Sequence, residues 1–236
     1  MRIGWGRALL AAVVVGVVSA GCAGLPVLPD LVGPPPQPTG DAATVLATLP
    51  VKGRAPRTGY EREQFGESWR DIDRNGCDQR NDVLARDLAQ VAFREGTRSC
   101  VVLTGILEDP YSGHTIPFTR GRDTSDDVQI DHVVALSNAW QTGAQQLDPA
   151  TRERFANDPL NLMATEGAVN QAKSDGDAAT WLPPARGFRC AYVARQVAVK
   201  AKYTLWVTAA ERDAIAGVLS GCDGEPLPPD SGVEPA

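Results

Sequence analysis

Four cysteines, Cys77, Cys100, Cys190 and Cys222, run through the body of this chain and restrict its folds more than any other feature of the sequence. An even number of cysteines behind an export-like N-terminus reads as two disulfides made in an oxidising compartment. Four cysteines allow three pairings. Cys77 with Cys100 and Cys190 with Cys222 is preferred, because each bond then closes a modest loop inside one local unit. A four-cysteine zinc centre ordinarily needs two close Cys-x2-Cys pairs, which are absent here. With only two histidines, His114 and His132, in 236 residues, zinc centres built from several histidines are excluded as well.

The export reading rests on residues 1–23: Arg2 and Arg7, an apolar run from Ala8 to Val18, then small residues ending in Ser19-Ala20-Gly21-Cys22. This is a secretory signal segment whose apolar stretch is too short for a comfortable membrane span. Cleavage can follow Val18-Ser19-Ala20 or precede a lipidated Cys22. Ala-Gly-Cys resembles the end of a bacterial lipoprotein box, although Ser19 stands where an aliphatic residue is usual. The expected location is therefore the cell exterior or the envelope, with Cys22 as the candidate for a lipid tether. Residues 24–41 hold Pro26, Pro29, Pro34, Pro35, Pro36 and Pro38 and read as an extended linker. Residues 223–236 read as a flexible tail, leaving one domain over residues 42–222.

At 43% hydrophobic and 22% charged residues, the chain can bury one sizeable core. Its formal charge is −6, and about −8 once Arg2 and Arg7 leave with the signal. The molecule as a whole repels phosphate, so any nucleic-acid contact must be a local basic site. Apolar spacing predicts a helix from Asn81 to Phe93 with Asp78 as its cap. Cys100 to Leu107, the turn Asp109-Pro110-Tyr111-Ser112-Gly113 and Thr115 to Phe118 form a hairpin. Val128 to Val133 is a short strand, followed by a helix from Ala135 to Gln146. Asp148 and Pro149 open another helix that runs to about Ala156. Gly167 to Lys173 is a short helical segment, Tyr192 to Trp206 carries helical spacing, and Thr208-Ala209-Ala210-Glu211 is a capping box for a last helix to Leu219. The fold class is α+β, with helices outnumbering strands.

Chemistry concentrates around Ile130-Asp131-His132-Val133-Val134, where an acid and a histidine stand side by side among apolar residues. On a regular strand the two side chains face opposite sides, so both serve one cavity only where the strand ends or bends. Alone, the dipeptide reads as a satisfied histidine beside a capping aspartate. Downstream, Asn161 can fasten a loop through side-chain to backbone hydrogen bonds, and Asn170, nine residues on, can offer an amide oxygen to a hard cation. With Asp131 they suggest a magnesium site that keeps most of its water.

Asp-His, then Asn-Leu, then Asn-x-x-Lys resembles the HNH branch of the ββα-metal, or His-Me finger, nucleases, in the variant where asparagine replaces the final histidine. The chain is similar in particular to exported actinobacterial proteins with an HNH domain related to the C-terminal domain of GmrSD-type modification-dependent restriction enzymes. The stretches Asn75 to Leu84, Asp109 to Gly113 and Asp177 to Pro184 share that style, so the resemblance spans roughly Tyr60 to Cys222. It implies a ββα-metal core with additional packed helices, stabilised by disulfides. It further implies His132 as general base, Asn161 as the supporting asparagine, and Asp131 and Asn170 as ligands of Mg2+ or Mn2+. Asparagine at position 170 suits these hard ions better than zinc. The structural four-cysteine zinc of some branches is missing, and disulfides stand in for its stapling effect.

These residue types fit phosphodiester hydrolysis, which needs an activated water, in-line geometry and neutralised charge on the phosphate and the departing oxygen. A neutral imidazole near its ordinary pKa of about 6.5 serves as base at neutral pH. Arg80 and Lys173 are the candidates for a phosphate clamp, each with a salt bridge or a solvated helix face as the plainer reading. The implied partner is nucleic acid, most simply DNA, and no protein partner is called for. The competing reading is a catalytically inactive envelope protein that keeps the nuclease fold for binding. His114 reads as a surface hairpin residue. Trp69, Trp140 and Trp181 read as packing anchors more than base-stacking platforms. Asp123, Asp126 and Asp127 lack calcium-loop spacing and read as a solvated acidic loop.

Overall fold

The protein is described by a computed structural model over Met1 and residues 41–229. Cys22, the rest of the signal segment and the proline-rich linker up to residue 40 lie outside the described residues, as do residues 230–236. Among the described residues the α-helices are α1 (Asp41–Thr48), α2 (Gln79–Asp87), α3 (Leu136–Gln141), α4 (Pro149–Asn157), α5 (Gly167–Lys173), α6 (Arg189–Lys202) and α7 (Ala209–Leu219). The strands are β1 (Leu88–Phe93), β2 (Val102–Glu108), β3 (Thr115–Thr119), β4 (Val128–His132) and β5 (Leu162–Glu166). Strands β1, β2 and β3 form an antiparallel meander, and β4 and β5 form a separate antiparallel pair. The α+β reading is met, with two disulfides, Cys77 to Cys100 and Cys190 to Cys222, in the preferred pairing.

Local chemistry explains most boundaries. Asp78 accepts the Asn81 amide to start α2, Asp148 accepts that of Thr151 to start α4, and Thr208 with Glu211 completes a capping box on α7. Each such cap stabilises its helix by about 1 kcal/mol. The helix expected over Asn81 to Phe93 stops at Asp87, and its second half is β1. Leu88 and Phe93 pair with Leu107 and Val102 of β2, with a bulge at Gln90, whose φ is 53°. The Asp87 carboxylate accepts the Ala164 amide at 2.8 Å, which ties the helix end to β5. The expected helix over Ala135 to Gln146 is α3 followed by a short 3-10 turn, broken at Gly143, whose φ is 132°. Gly143 also sits against Trp206 and Leu205. The tail expected from residue 223 is not wholly free: the Glu225 carbonyl accepts the Ala42 amide at 3.3 Å, and Leu227 packs against the core.

Three apolar clusters surround the β4–β5 pair. Val128, Ile130, Leu162 and Ala164 face α2 and the meander through Leu84, Leu107 and Phe118. Val133 and Met163 join Tyr111, α1, α6 and α7. Val134, just beyond β4, joins Phe65, α3, α4 and the end of α6. The end of β4 is therefore wedged on several sides, which is what a precisely held side chain at that position requires.

Candidate active site

Asp131 and His132 are the last two residues of β4, and alternation sends their side chains to opposite faces. Because the strand ends there, both line one cavity of about 550 Å³. The His132 ring lies against the last turn of α4. Its Nε2 is 2.8 Å from the Ala156 carbonyl oxygen. A carbonyl can only accept, so Nε2 carries the hydrogen and the lone pair sits on Nδ1. No protein group bonds Nδ1 among the described residues. Burial drives the His132 pKa down to about 3, because the cation would lose its hydration. This corrects the expectation of a base near 6.5: the imidazole is neutral over the whole physiological range. Trp69 lies 6.3 Å from it with nearly parallel rings.

Asn161, fully buried at the turn into β5, closes the segment that follows His132. Its Oδ1 accepts the Val134 amide at 2.8 Å, its backbone carbonyl accepts the Val133 amide at 2.8 Å, and its Nδ2 donates toward the Val134 and Phe155 carbonyls. One side chain thus ties the end of β4 to the beginning of β5 and to α4.

On the opposite face, Asp131 is held between Lys173 of α5, whose Nζ donates to Oδ1 at 2.9 Å, and Tyr111, whose hydroxyl donates to Oδ2 at 2.8 Å. Lys173 also donates to the His132 carbonyl at 2.9 Å. Burial pushes the Asp131 carboxyl above its ordinary value, against the opposing pull of Lys173. The Lys173 side chain is 0% exposed. The expected phosphate contact at Lys173 is therefore corrected, because its ammonium is a buried counter-ion that fastens α5 to β4. Tyr111, the centre of the Asp109 to Gly113 turn, is a buried partner of the site.

Asn170 lies on α5 three residues before Lys173 and lines the cavity. Its Nδ2 donates to Gln129 Oε1 at 2.9 Å, which leaves the amide oxygen without a protein partner among the described residues. Among those residues no three His, Cys, Asp or Glu side chains are gathered as a closed metal cage. Asp131 and Asn170 offer only oxygen. A carboxylate that already accepts two donors keeps further lone pairs, so the set suits a hard cation that retains several waters.

The basic wall of the cavity is richer than the sequence suggested. Arg80 lies at 3.5 Å from the Ser125 and Val128 carbonyls, the outer limit of hydrogen bonding, and keeps donors in reserve. Arg57 and Arg62 line the same cavity. Arg57 stacks over Tyr60 at 5.1 Å and reaches Asp175 only at 4.0 Å. Neither arginine was singled out from the sequence, although Arg57-Thr58-Gly59-Tyr60-Glu61-Arg62 does interleave bases with an aromatic. His114 points elsewhere: it is 69% exposed and pairs with Glu166 at 3.0 Å. Trp140 packs with Tyr60 and Phe65, and Trp181 with Tyr111 and Tyr192.

The family model for GmrSD restriction endonucleases, C-terminal domain, matches residues 78–218, which include Asp131, His132, Asn161 and Asn170. An uncharacterized secreted protein of Arthroderma benhamiae is 38% identical over 192 residues, covering 80% of this chain and 89% of that protein. No solved structure matches the chain. On these two matches, the chain belongs to the family of GmrSD restriction endonuclease C-terminal domains.

Proposed function

We propose that the protein is a secreted, metal-dependent endonuclease of the HNH type that hydrolyses phosphodiester bonds in DNA. The observation that carries this reading is His132, pinned through Nε2 to the Ala156 carbonyl with its Nδ1 lone pair left for solvent, in a cavity walled by Arg57, Arg62 and Arg80. In this reading β4, β5 and α5 are the ββα unit, and α3 and α4 are inserted between its strands.

His132 Nδ1 takes the proton of a water as that water attacks phosphorus. The ring is in its proton-accepting form at neutral pH, and the negative charge of a bound phosphate would raise its affinity for the proton as the step proceeds. Asn161 and the Ala156 carbonyl hold the ring orientation through the step, and the arginines bind the phosphate oxygens and neutralise the charge that builds on them. Mg2+ or Mn2+, held by Asp131 and Asn170, would supply charge neutralisation at the departing oxygen. The two disulfides and the secreted relative support an extracellular location; a lipid tether through Cys22 is the alternative to free release.

The test is plasmid nicking by the purified, disulfide-intact protein with Mg2+, with and without chelator. His132→Ala should lower the rate by about 10²-fold or more while retaining the native circular dichroism spectrum. Full activity in that folded variant refutes the assignment. Folded protein that cleaves no nucleic acid with any divalent ion would favour the inactive envelope-binding reading.

A further inference from the structure

Trp140 and Trp181 are occupied with packing, and the indole N–H of Trp140 donates to the Thr58 carbonyl at 3.4 Å. Trp69 differs. It is half-buried, lines the cavity that holds His132, and has an indole N–H without a protein partner among the described residues. Its ring rests on the cluster of Val128 and Ile130 and lies nearly parallel to His132. Its backbone stands in the left-handed region, φ 65°, where a bulky side chain is a genuine outlier, and the Gln79 amide fixes its carbonyl at 3.1 Å. Strained positions of this kind cluster where a side chain has to be presented to a ligand.

Tyr60 lines the same cavity, half-buried, with its hydroxyl unpartnered among the described residues and the Arg57 guanidinium over its ring at 5.1 Å. Edge contacts with Phe65 and Trp140, at 6.3 and 6.2 Å, hold that ring in place. Arg57, Arg62 and Arg80 thus share the cavity with two pre-set aromatic rings. Asp175, the acid beside them, accepts from Ser137 at 3.1 Å and faces Arg57 at 4.0 Å. A basic groove interleaved with aromatic side chains is how proteins hold single strands: cations follow the phosphates, and bases with free faces stack on the rings. In a duplex those faces are covered by neighbouring base pairs. The floor of the cavity points the same way. Asp131 and His132 are 5% and 8% exposed, so a phosphate that meets His132 has to enter, and its sugar and base come with it. A space of about 550 Å³ has the size of a small-molecule pocket. A duplex, stiff over a persistence length of about 50 nm and carrying its phosphates on the outside, does not bend into it; an unpaired strand does.

We propose that this cavity selects unpaired DNA, a single strand or a nucleotide turned out of the duplex, with one base stacked on Trp69 next to the phosphate presented to His132 and a neighbouring base against Tyr60 and Arg57. This deepens the nuclease reading and rests on it for the role of His132. Trp69 determines which form of DNA is accepted and takes no part in proton transfer.

The full chain with its disulfides intact, kept in chelator so that no strand is cut, is titrated with an oligothymidylate of about 12 nucleotides and with a hairpin duplex of equal phosphate number at the same salt concentration. The unaltered protein should bind the single strand at least about tenfold more tightly, with quenching of tryptophan emission. Trp69→Ala should weaken single-strand binding about 5- to 150-fold, the range of one base–aromatic stack, and Trp69→Phe should restore most of it. Trp181→Phe, whose ring packs in another cluster, should leave binding and quenching in place. Cleavage with Mg2+ is read separately: a negatively supercoiled plasmid, whose strands part locally, should be cut faster than the same plasmid linearised. Duplex bound as tightly as single strand by the unaltered protein, or single-strand binding unchanged in Trp69→Ala, overturns the proposal whether or not DNA is cut. Linear duplex cut as fast as single strand overturns it and leaves the nuclease reading standing. Trp69-dependent binding of single strands without cleavage of any DNA keeps the stacking site and ends the nuclease reading.

Discussion

Acidification should unfold this protein through His132, and the effect can be isolated. In the unfolded chain the imidazole titrates near 6.5; in the folded protein burial holds it at about 3. Between those values the unfolded state binds a proton that the native state refuses, so stability falls as pH falls. The contribution is fully present above 6.5, declines by about 1.4 kcal/mol per pH unit below it, and levels off near pH 3. At pH 4.5 the loss attributable to this one ring is about 3 kcal/mol, a large share of the 5–15 kcal/mol that holds a typical domain together. Other groups titrate over the same range, so the comparison is with His132→Gln, whose amide can still donate to the Ala156 carbonyl but takes up no proton. Urea unfolding of both proteins at intervals from pH 7.5 to 4.5 gives the difference directly. The wild type should be the more stable at neutral pH by the packing of its ring, and its advantage should shrink by about 3 kcal/mol at the acid end. A difference that stays constant over the range would mean that His132 ionises normally in the native state, and the account of a buried, neutral ring would be wrong.

Lys173→Met should destabilise the domain by about 3–5 kcal/mol, because it leaves the Asp131 carboxylate buried and unpaired; adding Asp131→Asn should restore part of that loss in the same denaturation assay. Asn161→Ala removes the acceptor of the Val134 amide at a buried turn and should lower stability by at least about 1–3 kcal/mol, measured by thermal or urea unfolding. Removing each disulfide by paired Cys→Ala substitution should lower stability by about 3–4 kcal/mol from loop entropy, given sequence separations of 23 and 32 residues. Arg57→Ala, Arg62→Ala and Arg80→Ala should each weaken nucleic-acid binding and flatten its salt dependence by about one unit of slope; slopes unchanged in all three would exclude the basic wall as a phosphate contact.

Elements with chemical punctuation were readable from the sequence. Asp78, Asp148 and the Thr208 to Glu211 box carry their own hydrogen-bonding instructions, and the structure honours each. Where apolar residues stood without punctuation, tertiary pairing decided. Leu88 to Phe93 satisfies helical spacing but gains strand partners in β2. Leu162 to Glu166 carries no strand signal, because nearly every position is buried and no alternation survives. In the site, Asp131 and His132 could be singled out because polar residues interrupt apolar surroundings there, whereas Asn161 and Asn170 stood out through their spacing and the family resemblance. The depressed pKa of His132 and the confinement of Lys173 could not, since both depend on what folds over them. Arg57 and Arg62 reach the cavity from a segment with little regular structure, where spacing carries no spatial information.

The cavity wall has a practical bearing on recombinant work. Arg57, Tyr60, Arg62, Trp69 and Cys77 precede residue 78, and Cys222 follows residue 218, so a fragment trimmed to the matched stretch would discard one side of the pocket and one cysteine of each disulfide. It would also strip Phe65 and α1 from the interior. Insolubility or inertness of such a fragment would be an artefact of where it was cut, and screening should begin with chains that start no later than Asp41 and extend past Leu227.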